Sequence, residues 1–294
     1  MGSEMCIRDS QKALQYRKHS YLGTIKTVIW IINYSNMGYK SCEGEHQMGK
    51  STRGYCKYCG KEYTRTGMVK HLQTCKRRVD LYEKATETEK YFELLLYGAY
   101  NKDYWLIIQI KENATLDDLD QFIRDIWVEC CGHLSAFEIN GVSYEKEPDD
   151  DFGWDEPAES TEHKLKEILE SDMLFGYEYD FGSTTELAIK VLNYYNAPKQ
   201  SKKVVILSRN NPPEFQCSIC GEHRASWINA VDIYGEEPFW CDECADKLEE
   251  GEFDEEIDSE EVWLLPVTNS PRMGVCGYEG SSVYPEQFEP DEIC

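Results

Sequence analysis

The chain has 294 residues, of which 41% are apolar and 13% aromatic, and carries a formal charge of −24. That length and apolar content suit one sizeable core with small appended modules and exclude a wholly disordered polypeptide. Thirteen cysteines in a chain this long are not a small secreted disulfide scaffold, and seven of them fall, with one histidine, into metal-ligand spacings, which favours a reducing, cytoplasmic setting.

Charge is unevenly placed. Residues 1–80 hold 15 Lys+Arg against 6 Asp+Glu, and the remainder holds 16 against 49. An acidic body repels phosphate backbones, so any nucleic-acid contact belongs to the basic end. The opening Met1–Ser10 reads as an appended artefact more than a domain start, and residues 1–50 as a leader that is partly non-native or disordered. Its apolar run Thr27–Ile32 is too short to span a bilayer, and no membrane association is expected.

Residues 51–80 hold Cys56-x2-Cys59, eleven residues, then His71-x3-Cys75. Four soft or borderline ligands are the complement of a closed tetrahedral zinc site. The segment is similar to a two-cysteine, two-histidine finger in which cysteine replaces the last histidine. Tyr63 and Met68 stand near the two apolar positions of its miniature core, and a four-residue separation puts His71 and Cys75 on one helical face. So small a segment needs zinc to fold, worth about 10–16 kcal/mol in such peptides. Lys61, Arg65, Lys70, Lys76, Arg77 and Arg78 are the candidate phosphate contacts. A single finger covers about 3 base pairs, too few for useful specificity, and a solvated basic face or a protein-docking finger is the alternative.

Residues 89–210 carry the main core. Tyr91–Ala99 and Tyr104–Ile110 are two apolar runs around Tyr100-Asn101-Lys102-Asp103, a hairpin signal. Thr115 caps a helix with Leu116, Leu119, Ile123, Ile126 and Trp127 on one face, and Asp117 and Asp118 sit at its positive end. Gly132 ends it, and His133–Ile139 reads as a strand. An acidic loop over 145–159 leads to a short helix near 162–170, then to strands Phe175–Phe181 and Glu186–Tyr194 and an edge strand Val204–Leu207. This order predicts an α+β fold, a β-grasp-like mixed sheet with helices on one face, flanked by two small zinc modules.

Residues 213–250 hold the second cluster, Cys217-x2-Cys220, twenty residues, then Cys241-x2-Cys244. Two knuckles at this separation are the arrangement of a four-cysteine zinc ribbon. Gly221 follows the second ligand, where a bare backbone lets amides approach the thiolates. A thioredoxin-like reading of either pair is weaker. The acidic surroundings make this a structural or protein-contact unit. Residues 251–294 form an acidic tail with a C-terminal docking segment.

The stretches Trp105–Ile108, Thr115–Trp127, Glu129-Cys130-Cys131-Gly132-His133-Leu134-Ser135-Ala136-Phe137 and Gly176-Tyr177-Glu178-Tyr179-Asp180-Phe181-Gly182 together resemble the plasmid pRiA4b ORF-3-like family, whose members are also labelled insertion-sequence passenger proteins. The resemblance spans about residues 90–195, and Leu265–Tyr278 resembles a C-terminal segment of zinc-bearing members. It implies a compact α+β domain and an association with mobile elements, and brings no catalytic residues. Where the family continues with an acidic residue, a tryptophan and a histidine, this chain has Ser183, Thr185 and Leu187.

Cys130, Cys131 and His133 offer the ligands of a third metal site, against which stands the commoner reading of buried small hydrophobes at a helix end. Tyr177, Tyr179 and Asp180 read as strand residues, the tyrosines packing a core. No Gly-rich phosphate loop, nucleophile elbow or HExxH is present. The expectation is a non-catalytic adaptor with two structural zinc ions, meeting protein through its central domain and nucleic acid or protein through its finger. An enzyme using Tyr179, Asp180 and His133, and a purely protein-binding scaffold, are the alternatives.

Overall fold

The computed structural model describes residues 51–146, 158–251, 253 and 262–291. The leader 1–50, the middle of the acidic loop, and Cys6, Cys42 and Cys294 lie outside the described residues.

The chain begins with a short hairpin, β1 (Arg53–Tyr55) and β2 (Glu62–Thr64), then helices α1 (Arg65–Thr74) and α2 (Lys76–Glu83). Strands β3 (Thr88–Gly98) and β4 (Trp105–Lys111) form the expected hairpin, and α3 (Leu116–Ile123) continues into a π-helical turn, Arg124–Val128. Strands β5 (Ser135–Ile139), β6 (Val142–Glu145) and β7 (Glu159–Ser160) precede the one-turn helix α4 (Leu165–Ile168). Next come β8 (Leu174–Tyr179), the long β9 (Thr185–Pro198) and β10 (Val204–Arg209). The ribbon region has β11 (Trp227–Asn229), β12 (Phe239–Trp240), α5 (Asp242–Glu249) and β13 (Leu264–Pro266).

Eight strands make one mixed sheet in the order β10-β4-β3-β9-β8-β5-β6-β7, the centre of an α+β fold. Its pairs are antiparallel except β6 with β7. β10 is an edge strand, as its short apolar run suggests. β6 takes up residues 142–144, between the expected strand and the acidic loop, and reaches Glu145, where that loop is expected to start. The helix start is as its chemistry dictates: Thr115 Oγ1 accepts from the Asp118 amide at 3.1 Å, and Asp118 Oδ2 accepts from the Thr115 amide at 3.0 Å. This reciprocal cap satisfies two amides that the first turn leaves unpaired.

One face of the sheet packs against α3. Leu94, Leu96, Leu106, Ile108 and Ile110 meet Leu116, Leu119, Ile123, Ile126 and Trp127 in one buried cluster. Alternation along β4 then sends Trp105 and Ile107 to the opposite face. There they pack with Leu95 and Leu207 against Cys56, Met68, Leu72 and Cys75. The small N-terminal module therefore roofs the second face of the sheet instead of flanking it. The reason lies in β4 itself, whose Trp105-Leu106-Ile107-Ile108 is apolar on both sides and must be covered twice.

Backbone contacts fasten this roof. The Lys57 amide donates to Leu207 O at 2.9 Å, and Ser208 Oγ donates to Tyr55 O at 2.8 Å. Gly54 bridges to Asn210; a Cβ on Gly54 would lie 2.0 Å from Arg209 O, so only glycine permits this approach. Among the described residues no helix is long and apolar enough to cross a membrane.

Candidate metal centres

Three groups of ligand atoms converge among the described residues, each with its atoms within 4.8 Å of one another: Cys56, Cys59, His71 and Cys75; Cys217, Cys220, Cys241 and Cys244; and Cys130, Cys131, His133 and Cys276. Metal–sulfur bonds of about 2.3 Å place neighbouring sulfurs of a tetrahedral site about 3.8 Å apart, against about 2.05 Å in a disulfide. The first group has Cys56 and Cys75 sulfurs 3.9 Å apart, and the second has Cys220 and Cys241 sulfurs 3.8 Å apart. Both donor sets fit a four-coordinate ion.

In the first group the β1–β2 turn supplies two thiols, and α1 supplies His71. Thr64 caps α1 by accepting from the Gly67 amide. Cys75 is not on that helix: it is the extended residue where α1 ends and α2 begins. The break lets its sulfur turn back to Cys56. Tyr63 stacks on the His71 ring, centroids 4.2 Å apart, and fixes its orientation. Burial, and then the charge of Lys61, lower the His71 pKa and favour the neutral imidazole that ligation needs. Without an ion, burial pushes the Cys56 thiol up to about 12; a bound cation reverses that balance.

The second group is built on β12, α5 and the turn after Cys217. Here the amides of Glu222 and His223 aim at the Cys220 sulfur and lower its pKa to about 6. Trp240 packs beside Cys217, Cys241 and Cys244. β11 pairs with both β12 and β13, so Leu264–Pro266 completes the ribbon sheet.

The third group differs in burial. Cys131 and Cys276 are exposed, whereas Cys130 is half-buried against the main core, so the packing role expected for the cysteine pair holds for Cys130 alone. Tyr179 and Asp180, candidates for an enzyme cleft with His133, are engaged in holding this region. Tyr179 Oη donates to Glu129 Oε1 and accepts from the His133 amide. Asp180 accepts from Arg272 Nη2 at 2.7 Å and from the amides of Gly182 and Ser183.

Of the six candidate phosphate contacts, Lys61, Lys70, Lys76 and Arg77 are exposed and make no ion pair among the described residues. Arg65 lies over the Tyr97 ring at 4.7 Å and is half-buried. Arg78 is removed from the set: it is 6% exposed and paired with Glu93, itself 0% exposed, at 2.5 Å. Its helix turns it inward, toward the sheet, where Tyr195 and Leu72 O also accept from it. The sequence reading missed Arg78's inward turn and the part of Cys276. The first had a signal in Glu93, a carboxylate inside the apolar run Tyr91–Ala99.

Residues 96–228 match the family model described as Plasmid pRiA4b ORF-3-like protein. The match starts inside β3 and ends inside β11, so it takes in the first ribbon knuckle as well as the central sheet. No curated protein sequence matches the chain. A solved structure, that of a protein of unknown function (MM3350) from Methanosarcina mazei Go1, is similar at 18% identity over 59% of this chain and 86% of its own, with a TM-score of 0.34.

Proposed function

We propose that this chain, which through residues 96–228 carries a plasmid pRiA4b ORF-3-like domain, is a non-catalytic adaptor of a mobile element, held in shape by zinc and working in a reducing compartment. Two ligand sets, Cys56/Cys59/His71/Cys75 and Cys217/Cys220/Cys241/Cys244, hold four donors each and leave no position for a substrate. Zinc is the ion that a tetrahedral thiolate–imidazole set takes most readily. In this reading it builds docking surfaces and performs no chemistry.

The observation that carries the adaptor reading is the free basic face of the roof module. Lys61, Lys70, Lys76 and Arg77 stand exposed on a chain whose remainder is strongly acidic. Cations kept unpaired beside so much acid are available to phosphates. The central sheet and the ribbon are then left for a protein partner.

The test is fluorescence anisotropy of the zinc-loaded, full-length chain with duplex DNA across a salt series. Four phosphate contacts give a log–log slope of about −3 to −4. The variant Lys61→Ala/Lys70→Ala/Lys76→Ala/Arg77→Ala should lose most of the binding and the slope. Absent or salt-independent binding refutes the nucleic-acid role and leaves a scaffold that meets protein alone.

A further inference from the structure

We propose that Cys130, Cys131, His133 and Cys276 form a third metal site, which takes a borderline divalent ion of zinc's class and clamps the C-terminal segment onto the central sheet. The inference stands on its own geometry and is independent of the adaptor reading. Cys131 and Cys276 are 145 positions apart in sequence, yet their sulfurs lie 3.8 Å apart. The Cys130 and Cys131 sulfurs are 3.6 Å apart, and His133 Nε2 is 3.3 Å from the Cys276 sulfur. These are edges of a tetrahedron around a metal, about 3.8 Å between sulfurs, and far from the about 2.05 Å of a disulfide. The edge from Cys131 Sγ to His133 Nε2, at 2.9 Å, is the one that an ion would widen.

Backbone geometry repeats the same motif independently. The described chain contains four Cys-Gly steps, at Cys59, Cys131, Cys220 and Cys276, and the glycine after each has a positive φ: 65°, 77°, 67° and 68°. Two of these steps belong to the ligand sets already assigned. The other two meet at this cluster and supply two of its sulfurs. A left-handed glycine after a ligand turns the chain away so that backbone amides can face the thiolate.

Packing accounts for Cys130 alone. The cluster's other two thiols are exposed, whereas cysteines used as small hydrophobes are buried. Cys276 itself sits at φ 52°, a left-handed conformation that a side-chain-bearing residue adopts only at a cost, and a metal bond offsets that cost. The surroundings suit a thiolate. Arg272, fully buried, directs Nη2 to the Cys130 sulfur at 3.5 Å and is held by Asp180 Oδ2, Thr185 Oγ1 and Ser183 O. Asp180 Oδ2 also lies 3.5 Å from His133 Nε2, the ligand nitrogen, and so places negative charge beside a bound cation.

The clamp has an evident load. Ser270 donates to Trp127 O, Trp127 Nε1 donates to Asn269 O at 3.1 Å, and Asn269 exchanges hydrogen bonds with Asn210. The same segment contributes β13 to the ribbon sheet. An ion at Cys276 therefore ties the ribbon's last strand to the helix end at Cys130. Because the site opens to solvent, its ion should exchange sooner than the other two.

The experiment is metal analysis and native mass spectrometry of the full-length chain purified with zinc under reducing conditions. About three zinc per chain are expected, falling to about two in Cys276→Ser and in His133→Asn. Two zinc in the parent chain, unchanged by either variant, overturns the proposal, as does a Cys131–Cys276 disulfide seen without reductant. A second measurement needs no variant and covers misfolding ones. Cys131 and Cys276 of the zinc-loaded parent should resist iodoacetamide and become labelled early in a chelator titration, before the other ligand cysteines. Immediate labelling of both in the loaded chain refutes the site.

Discussion

Arg77 and Arg78 are neighbours in sequence with opposite fates, and replacing each by methionine separates stability from binding. Arg78 carries three hydrogen bonds into the seam between roof and sheet, to Leu72 O at 3.0 Å, Tyr195 Oη at 2.6 Å and Glu93 Oε2 at 2.5 Å. Burial alone would lower its pKa; the Glu93 charge and then the tyrosines around it more than reverse this and raise it. Taking Arg78 away strands a carboxylate that has no exposure at all, and breaking such a pair from one side costs about 3–5 kcal/mol. That is a large share of the about 5–15 kcal/mol that holds a typical domain together. Urea denaturation of the zinc-loaded protein, followed by circular dichroism, should show Arg78→Met destabilised by that amount. Arg77→Met should stay within about 0.5 kcal/mol of the parent. Adding Glu93→Gln to Arg78→Met removes the stranded charge and should restore half or more of the loss. In the DNA titration the pattern inverts: Arg77→Met lowers the salt slope and Arg78→Met leaves it alone. A cost below about 1 kcal/mol for Arg78→Met, no larger than that of an exposed ion pair, would refute the reasoning.

Metal removal and pH give two further expectations. Stripping the zinc-loaded chain with a strong chelator should lift Met68 and Leu72 from Trp105, now 0% exposed, and shift its fluorescence to longer wavelength. Trp105→Phe should lack that component, zinc should restore it, and an unchanged spectrum after complete metal loss would contradict the packing. Asp118 tests the cap of α3. Burial alone would raise its pKa, but Lys203 and the Thr115 amide outweigh it, so the folded value is lowered. Its contribution is thus present above the unfolded value of about 3.9 and lost as pH falls through the lower folded one. Asp118→Asn keeps an oxygen for the Thr115 amide but loses the charge facing Lys203 and the positive helix end, and should cost about 0.3–1 kcal/mol at pH 7, with the gap from the parent closing below about pH 4; a gap that is constant with pH counts against the role of that charge.

Local chemistry was legible in the sequence, and long-range docking was not. The β3–β4 hairpin, the Thr115 cap, the edge strand and the first two ligand sets each follow from patterns within 28 residues or fewer. The roof over Trp105 and Ile107 depends on which distant segment covers a strand apolar on both sides; the pattern says that something must, without naming it. Arg78 looks like part of a basic run until Glu93 is seen beneath it. Cys276 joins Cys131 only because Asn269, Ser270 and Arg272 anchor its segment in the core, and no spacing rule reaches across 145 positions.

Strand β10 has a bearing on synthesis. The roof module comes early from the ribosome, yet its fastening to Leu207 and Ser208 requires a strand translated more than a hundred residues later. Until then its apolar underside meets Leu95, Trp105 and Ile107 without Leu207 or the two bonds that fasten it, and early metal capture at Cys56 and Cys59 would steady a lid not yet latched. Contacts of such long sequence reach slow folding, and a chain cut short before β10 would leave the lid resting on β3 and β4 but unlatched, within reach of chaperones and proteases.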